Sequence, residues 1–288
     1  MRFRKSPAGP GRVIDRRGAK VGAIGLGGGA LAAIVILVFN LLSGGSGDAG
    51  GLLDALRQSG ATAQPDETPP DPATDPDADL VRFLGDVLAD SQGMWQQIFT
   101  DSGLQYRATD LVLFSGFTSS GCGGAPAQVG PHYCPSDERV YIDLDFFRAL
   151  QDRFGAAGDT AQAYVLAHEV GHHVQHVMGI MEDVRSRAQP GSDEANELSI
   201  ALELQADCFA GVWLSTLRTG ASAAVLERGD LQEALDAAAA VGDDAIQRAT
   251  TGRVDPETWT HGSSEQRLAW LERGVTTGNP GECDTSEG

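Results

Sequence analysis

Basic side chains are scarce in this sequence once the first twenty residues are passed. Residues 1–20 carry seven lysines and arginines and one acid, Asp15, whereas the remaining residues carry 14 basic and 39 acidic side chains. Nucleic-acid phosphates are bound by basic surfaces, so we expect no nucleic-acid partner for this acidic body. Net charge does not identify a substrate, because it acts on solubility and on the steering of charged molecules.

Cysteine is also sparse, and its spacing argues against cysteine-based metal and redox motifs. The four cysteines are Cys122, Cys134, Cys208 and Cys283, and they form no Cys-x-x-Cys pair. A cysteine zinc site and a cytosolic redox role are therefore disfavoured. An even count is typical of disulfides in an oxidising compartment. Of the three possible pairings we favour Cys122–Cys134 with Cys208–Cys283, because the first pair flanks a short loop rich in glycine and proline.

One long apolar run follows the basic start of the chain. Residues 21–42 contain no charged side chain and are about long enough to cross a membrane as a helix. A cleaved signal peptide is the alternative, but its apolar core is usually about 7–15 residues long, and the glycine and serine residues after this run are a poor cleavage site. We therefore predict a single-pass anchor at 21–43 in the cell membrane. The positive-inside rule then makes residues 1–20 cytoplasmic and the rest extracytoplasmic.

A linker and one folded domain are predicted to follow the anchor. Residues 44–79 are rich in glycine, proline and aspartate, and such a composition cannot bury enough apolar surface to fold. From residue 80 to 288, apolar periodicity predicts an early helix, strands near 111–114 and 140–144, and helices near 159–178, 193–218, 230–250 and 263–273. Few strands, mostly early, followed by helices indicate an α+β domain.

The motif that carries chemistry is His-Glu-x-x-His, which begins at His168 within a predicted helix. Residues four apart on a helix share a face, so His168 and His172 can both bind one cation. Glu169 lies about 100° round the helix, where it can reach a water on that cation without binding the metal. The motif also arises by chance, but the uninterrupted helical pattern around it favours a metal site with Glu169 as general base.

A second helical stretch supplies candidate partners thirty-one residues after His172. Glu203 and Asp207 are four apart and therefore share one face. Two histidines and one glutamate form a known catalytic zinc set, in which Glu203 is the third ligand. Asp207 would accept a hydrogen bond from the outward nitrogen of His168. Most helical acids face solvent, and that alternative is set aside here only because of the upstream motif.

Taken together, these motifs resemble the neutral zinc metallopeptidase family of bacteria, the YpfJ-like proteins, which look like gluzincins. The matching blocks are residues 12–18, 130–135, 140–143, 168–175, 203–208 and 260–267. The resemblance implies a zincin-like domain with a small sheet, active-site helices and bound Zn²⁺. It also implies a substrate-binding edge strand, for which residues 140–144 are the candidate, although an ordinary core strand is equally compatible. His261 would stabilise the oxyanion, unless it is a helix-capping or surface histidine and Arg267 braces the site.

These inferences predict a membrane-anchored zinc metallopeptidase that acts on a peptide or protein substrate. Zinc lowers the pKa of a water to about 7, and Glu169 would accept its proton and return it to the leaving amine. One alternative is a non-catalytic zinc-binding scaffold of the envelope, but a purely structural site has no use for Glu169. Another is a zinc hydrolase that acts on a non-peptide bond such as a cell-wall amide.

Overall fold

The computed structural model describes residues 1–3, 7, 9–18, 69–126, 129–189, 191–220, 222 and 224–285. The predicted anchor at 21–43 and most of the predicted linker at 44–79 lie outside these residues. None of the helices in the described part combines the length and apolar character that crossing a bilayer requires. The anchor therefore stays a prediction.

Helices make up most of the described chain. They are α1 (Ala78–Asp101), α2 (Asp145–Phe154), α3 (Asp159–Val177), α4 (Ile180–Arg187), α5 (Asp193–Thr219), α6 (Asp230–Ala240), α7 (Asp243–Thr251) and α8 (Ser264–Thr277). The two helices that carry the predicted site, α3 and α5, end within one residue of the sequence-based bounds. The predicted helix at 230–250 is instead two helices, separated at Val241 and Gly242. This break places the Asp243 carboxylate where it accepts three backbone N–H groups of residues 260–262.

The strands form one four-stranded sheet and two small ribbons. They are β1 (Arg2–Phe3), β2 (Val13–Asp15), β3 (Asp110–Phe114), β4 (Phe117–Ser120), β5 (Gly123–Pro126), β6 (His132–Cys134), β7 (Arg139–Asp143) and β8 (Ala224–Val225). The main sheet has the order β2-β3-β7-β6, with β6 antiparallel to β7 and the other neighbours parallel. The α+β class is thereby confirmed.

Strand β7 lies inside the main sheet rather than at its edge. Val140 is paired with Leu111 of β3 on one side and with Tyr133 of β6 on the other. The expectation that residues 140–144 form a substrate-binding edge strand is therefore wrong. Among the described strands, the edges of this sheet are β2 and β6.

Both faces of the main sheet are apolar, as alternation along its strands requires. One face packs on the helices through Leu111, Leu113, Val140 and Ile142. The other face forms a smaller cluster of Val112, Phe114, Cys134 and Tyr141. The disulfide Cys122–Cys134 ties the turn between β4 and β5 to this second face, and Cys208–Cys283 joins α5 to the C-terminal 3₁₀ turn Pro280–Cys283. The predicted pairing is confirmed.

The described residues of 1–18, here called the N-terminal arm, belong to the folded domain. Strand β1 pairs with β8, and β2 adds to the main sheet beside β3. Arg17 is 5% exposed and forms ion pairs with Asp15, Asp75 and Asp77 at 2.7, 2.5 and 3.3 Å. The prediction that residues 1–20 form a segment separate from the domain is thus corrected, because three acids neutralise Arg17 and β2 completes the sheet.

The position of Arg17 bears on the predicted membrane topology. A single crossing by residues 21–43 would place Arg17 and Asp75 on opposite sides of the bilayer. The Arg17–Asp75 ion pair therefore cannot form while the N-terminal arm is cytoplasmic and the domain is extracytoplasmic. The predicted location stays a prediction, and it requires the arm to leave the sheet.

Candidate metal centre

The predicted motif lies on α3, which is buried along most of its length. This helix packs against α1, α5 and α6. His168, Glu169 and His172 are 6%, 6% and 8% exposed. Polar and charged side chains at such depth are costly unless they are paired. The site therefore has to be explained by the partners that the neighbouring helices bring.

A close approach of α5 to α3 supplies those partners. Gly171, between the two motif histidines, faces Ala206, and a Cβ at position 171 would lie 3.0 Å from the Ala206 carbonyl oxygen. Only a residue without a side chain allows the helices to come this close without a shift. The contact places Glu203 and Asp207, which flank Ala206, beside the motif.

Three predicted ligand atoms converge at this helix contact. Nε2 of His168 lies 3.2 Å from Oε2 of Glu203, and Nε2 of His172 lies 3.3 Å from Oε1 of Glu203. The two imidazole rings are nearly perpendicular, with centroids 4.7 Å apart. Two ligands at about 2.05 Å from a tetrahedral zinc ion lie about 3.3 Å from each other. The spacing of these atoms therefore suits one small cation.

Glu169, next to His168, has one carboxylate oxygen without a hydrogen-bond partner among the described residues. This oxygen, Oε2, is buried. Buried polar atoms without a hydrogen-bond partner are rare in folded proteins and often mark a functional site or an unseen water or ion. A reacting water on a bound cation would provide the missing partner.

The far nitrogen of His168 is held by a buried charged network. Nδ1 of His168 lies 2.8 Å from Oδ1 of Asp207, which also accepts from the Tyr164 hydroxyl at 2.6 Å. Arg267 of α8 donates to both carboxylate oxygens of Asp207, at 2.8 and 3.0 Å. Because an ionised carboxylate only accepts hydrogen bonds, Nδ1 of His168 must donate and its Nε2 is left to face Glu203.

The network keeps its acids ionised despite their burial. Burial raises the pKa of Asp207, but Arg267 and His168 outweigh it and hold the pKa below its usual range. Burial likewise raises the pKa of Glu203, while His172, His261 and His168 together lower it well below its usual range. For His168, burial lowers the pKa, but Asp207 and Glu203 raise it to about 10. Glu203 therefore remains ionised and available to a cation, while Asp207 is occupied by His168, Tyr164 and Arg267.

His261 is close enough to Glu203 to interact with it electrostatically and has its own carboxylate partner, Asp243. Its Nδ1 atom is 3.2 Å from Oδ1 of Asp243, and its backbone N–H donates to Oδ2 of Asp243 at 2.7 Å. The His261 side chain is 42% exposed, so solvent and ligands can reach it. The helix-capping alternative is wrong, because Ser263 caps α8 through a capping box with Gln266.

The other histidines of α3 do not join the ligand group. His173 is buried, with Nδ1 3.0 Å from the Tyr133 hydroxyl and Nε2 2.5 Å from the Arg107 carbonyl oxygen. His176 contacts Glu182 through Nδ1 at 2.8 Å. Packing and surface roles thus account for both.

Comparison with known proteins identifies the family of the chain. A family model described as "Putative neutral zinc metallopeptidase" matches residues 1–286. The chain belongs to this family. "Uncharacterized protein YpfJ" of Escherichia coli (strain K12) is 47% identical over 208 residues, 72% of this chain and 71% of that protein. "Uncharacterized protein Rv2575" of Mycobacterium tuberculosis (strain ATCC 25618 / H37Rv) is 48% identical over 188 residues, 62% of this chain and 63% of that protein. No solved structure matches the chain.

Family membership bears out the resemblance drawn from the motifs, and the family's name implies zinc. The donor set at the site fits that metal, since two imidazoles and a carboxylate are a known catalytic zinc set. At the motif, the donor atoms of His168, His172 and Glu203 lie close enough together to hold one metal ion.

Three residues of the centre escaped sequence reasoning. Tyr164 lies one helical turn before His168, and a search for polar residues four positions from a predicted ligand would have found it. Gln175, whose Oε1 atom lies 2.9 Å from Nδ1 of His172, is three residues after that ligand, and extending the search to three positions would have found it. Asp243 gave no such signal, because it belongs to a separate helix and meets His261 only through the tertiary fold.

Proposed function

We propose that this protein is a zinc metallopeptidase in which His168, His172 and Glu203 bind the metal and Glu169 is the general base. The observation that carries the proposal is the convergence of three ligand atoms beside a buried glutamate oxygen that lacks a partner. A site that only stabilised the fold would not need a buried carboxylate oxygen without a partner at this position. Hydrolysis explains it, because a water must be deprotonated there.

The residues divide the work of peptide hydrolysis between them. Zinc, when bound, supplies a Lewis acid that lowers the pKa of a water to about 7 and polarises the peptide carbonyl. Glu169 accepts the proton of the attacking water and returns it to the leaving amine nitrogen. His261, held by Asp243, donates a hydrogen bond to the developing oxyanion. Asp207 and Arg267 keep His168 in the tautomer whose Nε2 faces the metal.

The proposed location is the cell membrane, with the catalytic domain outside the cytoplasm. The uncharged run at 21–42 supports an anchor. The two disulfides support an oxidising compartment for the domain. This location requires the N-terminal arm to leave the sheet, because a single crossing by residues 21–43 would separate Arg17 from Asp75.

The first experiment compares the parent chain with Glu169→Gln at matched zinc content. Both are produced at full length in an oxidising host, because the arm contributes a strand to the domain, and both are incubated with a diverse peptide library read by mass spectrometry. We expect cleavage by the parent and none by Glu169→Gln, with zinc retained in both. Glu197→Gln, which removes an exposed charge on α5, is the matched control and should cleave like the parent.

Two outcomes would count against the proposal. Cleavage by Glu169→Gln at the parental rate would remove Glu169 as the base. Zinc bound in both chains with no cleavage in either would favour a non-catalytic zinc-binding protein of the envelope.

A further inference from the structure

His172 is oriented by amide groups, unlike His168, whose partner is a carboxylate. Nδ1 of His172 lies 2.9 Å from Oε1 of Gln175, one helical turn along α3. Gln175 is fully buried, so it has no access to water as an alternative partner. Its orientation is therefore set by the groups that its own amide nitrogen meets.

The amide nitrogen of Gln175 is committed to two acceptors. Nε2 of Gln175 donates to the Leu202 carbonyl oxygen at 2.7 Å and to Oε1 of Gln205 at 3.1 Å. Nε2 of Gln205 in turn donates to the carbonyl oxygen of Cys283 at 3.0 Å. Cys283 is fixed to α5 by its disulfide with Cys208. We call His172, Gln175, Gln205 and the Cys283 carbonyl the amide relay.

The direction of this relay is set by its last members. The carbonyl oxygens of Leu202 and Cys283 can only accept hydrogen bonds, so the nitrogen of each glutamine must point toward them. The oxygen of Gln175 then faces His172, and Nδ1 of His172 must carry a proton and donate. A neutral imidazole protonated at Nδ1 has its lone pair on Nε2, the atom that lies 3.3 Å from Glu203.

We propose that Gln175 and Gln205 are positioning residues that hold His172 in its metal-binding tautomer. The inference rests on the proposed zinc centre and deepens it, because it names how the second ligand is prepared. Gln205 acts through Gln175, and the backbone of Cys283 anchors the relay. The two histidine ligands are thus oriented by chemically different partners, a carboxylate for His168 and an amide for His172.

Loss of the relay has a defined consequence for metal binding. Without an acceptor at Nδ1, His172 is free to protonate Nε2 instead and to rotate, and both changes weaken binding. Removal of such outer partners typically reduces metal affinity by about 10–100-fold. We expect that loss for Gln175→Leu and a smaller loss for Gln205→Leu. The double variant should bind zinc no more weakly than Gln175→Leu, because Gln205 has no route to His172 except Gln175.

The test measures zinc affinity of the full-length chain by competition with a chromophoric chelator, which requires no turnover. The electronic spectrum of the cobalt-substituted protein reports in parallel on ligand geometry. Gln162→Leu, on the same helix and outside the relay, is the matched control and should keep parental affinity and spectrum. Gln175→Glu keeps an acceptor for His172 but loses the donor to Leu202 and Gln205, so its affinity should fall between those of the parent and Gln175→Leu.

The outcomes separate this inference from the proposed function. A parent chain that binds no zinc overturns the metal centre itself. If the parent binds zinc tightly and the zinc affinities of Gln175→Leu and Gln205→Leu lie within twofold of the parental value, the relay alone is overturned. Losses that multiply in the double variant also overturn it, since independent sites are additive in free energy. If Gln175→Leu does not fold, Gln175→Glu and Gln205→Leu decide the question by the same criteria.

Discussion

Gly211 of α5 and Gly274 of α8 lie against each other where the two helices cross. A Cβ built on either residue would lie 2.9 Å from the Cα atom of the other. A Cβ on residue 211 would also lie 2.3 Å from the carbonyl oxygen of Leu271. A Cβ on residue 274 would lie 2.0 Å from the carbonyl oxygen of Cys208. This contact brings Arg267 within reach of Asp207, so the paired glycines set the distance on which the network behind His168 depends.

Gly211→Ala and Gly274→Ala should each destabilise the protein. Alanine gains about 1 kcal/mol of helix propensity over glycine, but overpacking against backbone atoms that cannot swing aside costs more. An overpacking cost of about 1–3 kcal/mol less that gain leaves a net loss of up to about 2 kcal/mol in the free energy of unfolding, measured by urea denaturation. Gly85→Ala on α1 is the control, because its Cβ would meet only the Val13 side chain, at 3.3 Å. Equal stability of all three variants would show that α5 and α8 do not touch in solution.

The ligand group was predictable because its information is local. The four-residue spacing of His168 and His172, and of Glu203 and Asp207, places each pair on one face of a helix whatever the rest of the fold does. The distances between these helices are not local. They depend on Gly171, Gly211 and Gly274, whose role is visible only when the opposing backbone is in place.

The N-terminal arm shows where local reasoning misleads. Its basic residues precede an apolar run, and this pattern is typical of a cytoplasmic flank of an anchor. The pattern says nothing about Asp75 and Asp77, which lie about sixty residues away and pair with Arg17. Parallel pairing of β2 with β3 is equally non-local, and a three-residue strand gives almost no signal of its own.

Arg17→Ala should destabilise the whole domain if the arm is docked in solution. The substitution leaves the carboxylates of Asp15, Asp75 and Asp77 close together without their cation, and we expect a loss of about 1–3 kcal/mol in the free energy of unfolding. Arg12→Ala is the matched control on the same arm, because Arg12 is 78% exposed and pairs only at the surface with Asp110. If Arg17→Ala unfolds like Arg12→Ala, the arm is not part of the domain, as a cytoplasmic N-terminus requires.

Asp243→Asn should move the alkaline limit of catalysis to lower pH. Burial lowers the pKa of His261, but Glu203 and Asp243 outweigh it and raise the pKa above its usual range. The charged groups that act most strongly on His261 are Glu203 on α5, Asp243 on α7 and Arg267 on α8. If protonated His261 stabilises the oxyanion, kcat/KM is retained below the raised pKa and falls as pH rises through it. Loss of the Asp243 charge lowers that pKa, so the fall begins earlier.

The measurement is a profile of kcat/KM against pH for the parent, Asp243→Asn and His261→Ala. Removal of one oxyanion donor typically costs about 100–1000-fold in kcat, and we expect His261→Ala to fall in this range with zinc content unchanged. An alkaline limb that stays in place in Asp243→Asn would separate His261 from the step, and so would a His261→Ala variant with parental kcat.

The two disulfides should differ in their effect on the metal centre. Cys208–Cys283 joins residues 75 apart and anchors the amide relay through the Cys283 carbonyl, whereas Cys122–Cys134 joins residues 12 apart in the smaller apolar cluster. Loop-closure entropy predicts that replacing Cys208–Cys283 by serines lowers the free energy of unfolding by about 4 kcal/mol, and that replacing Cys122–Cys134 lowers it by about 3 kcal/mol. Stability therefore falls in both double-serine variants, and we expect zinc affinity to fall only in the Cys208→Ser/Cys283→Ser variant. Chelator competition at a temperature where both variants are folded makes the comparison. A similar loss of zinc affinity in both would mean that general loosening of the domain, and not the relay, weakens the site.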